Sequence, residues 1–247
     1  MNRQADAWLC LPRLHSPNLP QGPEAAKPVG GTAIMGQSPC GRTSMWSILS
    51  PPATVTRAEL ERWAQKWRWY ERNSLPWNRA RIHWELMRRG AFARWPLYGN
   101  VLESLREGRL EIGQHTLLEP GVWITAPGHA RIRIGSGVFL NLGVMVAATE
   151  LVEIGSHCML ANGCFVSDAD HRFDDPHRPV PWQGFTTKGP TRVGDNVWCG
   201  ANVVITSGVT IGERCVIGAN SVVTSDIPSF SIAAGAPAQV LRQIAYR

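Results

Sequence analysis

The sequence predicts a mainly β protein built as a triangular parallel β-helix, and two observations carry that prediction. From Val193 the chain runs as six consecutive hexads, VGDNVW, CGANVV, ITSGVT, IGERCV, IGANSV and VTSDIP, without a slip. Their first positions (Val193, Cys199, Ile205, Ile211, Ile217 and Val223) are all apolar, and at 44% hydrophobic composition such a run arises by chance in roughly 0.7% of frames. The second observation is what fills the other places. Fifth positions are mostly small or β-branched, second positions are Gly or Thr, and fourth positions include Asn196, Asn202, Gly208 and Asn220, residue types that tolerate a left-handed backbone at a corner. A period of six is neither helical nor simple alternation. It fits short strands joined by tight corners, three to a coil of about 18 residues, stacked at the usual strand spacing.

Each segment of the 247-residue chain follows from this reading. Residues 1–50 carry scattered Pro, Gly and Ser with no sustained period, as expected of a flexible tail, and lack the charged start and apolar run of a secretory signal. Residues 51–109 form a basic, Trp-rich helical segment. Thr56 and Glu59 make a T-x-x-E capping box, and Leu60, Trp63, Trp67 and Tyr70 follow on one face. Pro76 is expected to end that helix, with Asn78 capping a second one through Arg89 and Gly90 closing it. Between Arg57 and Arg94 stand ten Lys/Arg against four Asp/Glu, a surplus equal to the +6 of the whole chain. The rest is neutral, which argues against a nucleic-acid protein. Six of the eleven tryptophans lie between Trp63 and Trp95, either packing on the rest of the protein or lying on an anionic membrane surface.

The β-helix itself is expected over residues 110–237. IGQHTL, LEPGVW from Ile112, IGSGVF, LNLGVM from Ile134, and IGSHCM, LANGCF, VSDADH from Ile154 repeat the signature upstream. Residues 172–190, RFDDPHRPVPWQGFTTKGP, interrupt it as a protruding Pro-rich loop bearing Trp182 and Phe185, and residues 238–247 form a C-terminal tail or short helix. No apolar run approaches the roughly 20 residues of a membrane-spanning helix. The six cysteines show no C-x-x-C pair, which fits reduced thiols in a cytoplasmic protein; Cys158, Cys164, Cys199 and Cys215 fall at inward places as packing residues.

Taken together, IGxxxxIGxxSxV, NVWxG, VVTxDIP and AAGxPAxVxR resemble the hexapeptide-repeat acyltransferases, in particular the maltose, galactoside and lipopolysaccharide O-acetyltransferases, over about residues 110–245. The resemblance implies a left-handed β-helix, acetyl-CoA as donor without a metal, and a homotrimer with active sites between subunits. It implies His171, closing VSDADH, as the general base; Asp168 and Asp170 beside it are candidates to orient the ring or solvated corner residues. Asn141 matches an acceptor-pocket asparagine, with corner geometry as its alternative, and Trp182 is expected to wall the same cleft. For the donor, Trp198 matches a tryptophan beside the pantetheine arm, and the backbone N–H groups of Ala201 and Ala219 match CoA-binding positions. Thr224 also matches, but Ser225 stands where relatives carry lysine, so Arg242 or Arg214 is expected at the phosphates. Thr149 replaces an acidic acceptor contact of sugar-acetylating relatives. The activity so implied is O-acetyl transfer to a saccharide-type hydroxyl. Two alternatives stand beside it: a non-catalytic β-helix scaffold held at a membrane by the basic helices, and a zinc hydratase like the γ-class carbonic anhydrases, for which the spacings of His157, His171 and His177 do not match.

Overall fold

The structure is a computed structural model that describes residues 56–61, 64 and 75–245. The expected tail, and the helical face of Trp63, Trp67 and Tyr70, lie outside the described residues. The solenoid is a left-handed parallel β-helix of about six turns. Face 1 stacks strands Phe92–Ala93, Leu117–Leu118, Phe139–Leu140, Met159–Leu160, Trp198–Cys199, Val216–Ile217 and Ser231–Gly235. Face 2 stacks Tyr98–Gly99, Trp123–Thr125, Met145–Ala147, Phe165–Ser167, Val204–Ile205 and Val222–Val223. Face 3 stacks Leu110–Ile112, Arg131–Ile134, Leu151–Ile154, Thr191–Val193 and Thr210–Ile211, and Ile227 extends it by one bridge.

The six hexads set these faces. Their first and fifth positions are buried, including the polar Ser221, so inward side chains form columns along the axis. Fourth positions turn the corner at φ of 53° to 58° for Asn196, Asn202, Arg214 and Asn220, and 76° for Gly208. The second-position glycines answer a different demand. Gly135 and Gly194 have ordinary φ, but a Cβ on them would stand 2.6 and 2.7 Å from backbone nitrogen of the next coil. Close stacking at the corner leaves no room for a side chain.

Three boundaries differ from expectation. The first coil begins at Phe92, because Phe92–Ala93 and Tyr98–Gly99 pair in parallel with Leu117–Leu118 and Trp123–Ile124. Pro76 itself opens the second helix, ahead of the expected cap at Asn78. Helix α1 is Pro76–Arg88 with Leu75 as its cap residue, since proline at the first helical position loses only an N–H that has no partner there. Asn78 therefore sits inside the first turn, while Gly90 closes the helix at φ 70° as expected. A second short helix, α2 (Val101–Arg106), joins faces 2 and 3 of the first coil. Finally, Ala238–Gln243 is neither tail nor helix. It is a strand folded antiparallel onto Ser231–Gly235, covering the edge where the parallel stack would otherwise end.

Candidate active site

The longest interruption of the solenoid lies between faces 2 and 3 of the fourth coil, and that break is fastened from below and above. Asp168, fully buried, turns its carboxylate back one coil. Its Oδ1 accepts from the Thr149 N–H at 2.6 Å and the Thr149 hydroxyl at 3.0 Å; its Oδ2 accepts from the N–H groups of Glu150 at 2.7 Å and Leu151 at 2.6 Å. Its carbonyl accepts from the Ser207 hydroxyl, one coil on, at 2.7 Å. At the returning end the Lys188 N–H donates to Ser207 Oγ at 2.8 Å, and the Thr191 hydroxyl reaches the Ser167 and Thr206 carbonyls. Asp168 is thus neither a solvated corner residue nor a partner of His171. It is the pin that fixes where the excursion starts. Asp170 pairs instead with Lys188, at 3.6 Å.

His171 lies three residues beyond that pin, exposed, on a two-residue strand paired antiparallel with Phe185–Thr186. The Phe185 ring backs the imidazole at 4.5 Å between centroids, tilted by 39°. Around them the loop is a hydrogen-bonded knot centred on Gln183. Its side-chain amide accepts from Asp175 N–H at 3.0 Å and donates to the carbonyls of Asp175 at 2.9 Å and Arg178 at 2.6 Å. Trp182, half-buried, ends the 3-10 turn Val180–Trp182 beside Gln183. Arg178 then ties the knot to the N-terminal helix by donating to Glu59. Glu59 completes the expected capping box: the Thr56 N–H donates to its carboxylate at 2.9 Å, and the Glu59 N–H reaches Thr56 Oγ1 at 3.3 Å. The Thr56 backbone bond, followed by Arg178, holds the Glu59 carboxyl down to about 2.

The residues matched to the donor lie elsewhere on the triangle. Trp198 projects from face 1, 52% exposed, stacked on Met159 below and Val216 above. Ala201 and Ala219 occupy the corner between faces 1 and 2, and among the described residues neither N–H has an acceptor. Asn141 sits at the same corner two coils lower. Its side-chain amide donates to the Leu160 carbonyl at 2.9 Å, which serves corner geometry and leaves Oδ1 without a partner among the described residues. Thr224 is exposed at the corner between faces 2 and 3, and Arg242 is exposed on the terminal strand opposite Ile232. A face-2 strand of three residues, about 10 Å of chain, therefore separates the edge carrying His171 from the edge carrying Ala201. None of the described contacts joins the two.

The four repeat cysteines are buried and unpaired. Burial pushes the Cys158 thiol up to about 11 and Cys199 well above the ordinary range, so they pack as neutral groups. Among the described residues no three His, Cys, Asp or Glu side chains group as metal ligands; His157 instead turns a corner at φ 59°.

The architecture is a left-handed β-helix whose fourth coil opens into a long loop carrying His171. Residues 190–225 match the family described as Bacterial transferase hexapeptide (six repeats). The chain is 32% identical over 232 residues to the "Probable acetyltransferase Rv3034c" of Mycobacterium tuberculosis, covering 86% of this chain and 75% of that one. It is 36% identical over 143 residues to the galactoside O-acetyltransferase of Escherichia coli K12, covering 58% and 68%. AntD, an N-acyltransferase from Bacillus cereus solved with dTDP and 3-hydroxybutyryl-CoA, shares the fold at TM-score 0.54 and 19% identity, over 64% of this chain and 81% of that one. The chain belongs to the hexapeptide-repeat acyltransferases.

Proposed function

We propose that the protein is a CoA-dependent O-acetyltransferase that moves an acetyl group from acetyl-CoA to a hydroxyl of a saccharide-type acceptor, with His171 as general base. The single observation that supports this reading is the pinned break in the solenoid. It presents one imidazole, backed by Phe185 and free of any ion pair among the described residues, beside a loop carrying Trp182. A neutral imidazole takes the acceptor's hydroxyl proton as its oxygen attacks the thioester carbon. The developing oxyanion needs preorganised donors, and the unbonded Ala201 N–H is of that kind. Collapse breaks the carbon–sulfur bond, and the departing thiolate recovers the proton from the imidazolium. No covalent acyl-enzyme is needed, and the buried cysteines offer no nucleophile.

On this reading Trp198 lies along the pantetheine arm, Ala201 and Ala219 donate to its carbonyls, and Thr224 and Arg242 serve the nucleotide end. Asn141 presents Oδ1 to the acceptor. Because His171 and this donor edge stand on different corners of one chain, a neighbouring copy completes each site, and a homotrimer satisfies that demand. A cytoplasmic setting accords with acetyl-CoA as donor and with unpaired thiols. The experiment is thiol release from acetyl-CoA across a panel of saccharide acceptors. His171→Ala should lower turnover by roughly 10²–10⁴-fold while CoA binding and the melting temperature are retained. Undiminished turnover in that variant overturns the assignment of the base, and failure of the parent protein to bind CoA overturns the reaction.

A further inference from the structure

We infer that the outward face of α1 docks the protein on an anionic membrane surface. The helix has two apolar sides. Ile82 and Leu86 are fully buried against the first coil and fix its rotation, and Arg79 lies 4.9 Å over the half-buried Trp95, fastening the same side. The opposite side therefore has to point away from the solenoid. It carries Trp77 at 80% exposure, Trp84 at 63% and Met87 at 61%, an i, i+7, i+10 ridge, with Arg81 and Arg88 beside it. Glu85, the only acid on the helix, has its side chain largely buried on the inner flank; Arg89 holds it at 2.6 Å and Arg88 meets it at 3.7 Å, so its single charge is shared between two arginines and the helix keeps a positive surplus.

Large exposed indoles next to arginines suit one environment in particular. Tryptophan settles at the headgroup level, where its ring is desolvated and its N–H stays wet, and each arginine gains from anionic headgroups. Charge selects this occupant over two others. The preceding stretch of the chain is itself basic, within the surplus of six between Arg57 and Arg94, and would bring like charge onto Arg81 and Arg88. A second copy meeting this face about a twofold axis would set the same arginines against each other. The inference stands apart from the proposed chemistry, because none of these side chains belongs to the candidate active site.

The test is flotation of the full-length protein with vesicles of phosphatidylcholine alone and of phosphatidylcholine mixed with phosphatidylglycerol. Binding is expected only to the mixed vesicles and should weaken as salt rises. R81E/R88E should lower the partition coefficient roughly twentyfold or more, and W77S/W84S about tenfold or more, with the melting temperature of each variant close to the parent's. The unsubstituted protein gives a readout independent of the variants: its tryptophan emission should be quenched by mixed vesicles with brominated chains. Absence of binding and quenching, equal binding to both vesicles, or retained binding by both variants overturns the proposal. So does a change in sedimentation of W77S/W84S without lipid, which would show that another copy covers the ridge.

Discussion

Replacing Asp168 by asparagine isolates the pin that starts the excursion. The parent carboxylate accepts four hydrogen bonds, three from consecutive backbone N–H groups of residues 149–151 and one from the Thr149 hydroxyl. An asparagine oxygen in the place of Oδ1 keeps the Thr149 pair. Its NH2 then faces the N–H groups of Glu150 and Leu151, donor against donor. Each bond to a charged acceptor contributes about 1.5–3 kcal/mol, so losing two costs about 3–6 kcal/mol before relaxation. Glu150 is exposed, and water reaching its N–H brings the expected loss to about 3 kcal/mol. For a body of this size, that lowers the melting temperature by roughly 6–12 °C, measured at fixed protein concentration because assembly shifts the midpoint. The corner holding His171 loses its anchor as well, so the catalytic constant should fall further than the affinity for CoA. A melting temperature within about 2 °C of the parent would refute the claim that this carboxylate carries the corner.

Four other outcomes follow from the same geometry. Charge exchange in E59R/R178E should restore a Michaelis constant for acceptor that either single variant raises, since the two charges tie the knot around Gln183 to the N-terminal helix. The Glu59 carboxyl is held at about 2 against an ordinary 4.5, so its contribution is complete above about 4.5 and disappears as pH falls toward 2; amide hydrogen exchange of residues 175–183, corrected for its intrinsic pH dependence, should be less protected at pH 3 than at pH 5. Ile211→Lys, at a fully buried face-3 position, places an unpaired charge inside the columns and should abolish cooperative melting. Alkylation mapped by mass spectrometry should leave Cys158, Cys164, Cys199 and Cys215 unmodified until denaturant is added, because burial raises all four thiols.

Legibility in the sequence tracks register. From Val193 to Val222 each hexad repeats the same demand at the same place, so an apolar first position, a glycine or threonine second and a left-handed fourth can be read residue by residue. The first coil escaped because AFARWPLYGN carries no period and its corner is replaced by α2, although Gly99 packs so tightly on Ile124 that a Cβ would stand 1.9 Å from its carbonyl oxygen. Pro76 was ambiguous on physical grounds, since the residue that stops one helix is equally suited to start the next. AQVLRQ became a strand because an open sheet edge stood beside it, a tertiary demand that overrides local preference.

The candidate site divides the same way. The position of His171 was legible because it ends a hexad, and the positions of Trp198, Ala201, Ala219 and Thr224, proposed for the donor, because they sit on unbroken coils. Asp168 was recoverable in principle: pairing Ser167 with Ala147 places Asp168 directly above Ala148 and within reach of Thr149. Nothing comparable points from Arg178 to Glu59, 119 residues away, or puts Phe185 against His171. Where the chain leaves the stack, neighbours in space cease to be separated by a fixed number of residues, and periodicity carries no further information. The buried columns of the repeat therefore report on stability, while the proposed base stands in the segment that departs from it. Substitutions at the buried coil positions should act chiefly on folding and assembly, and those in the excursion on acceptor choice and rate.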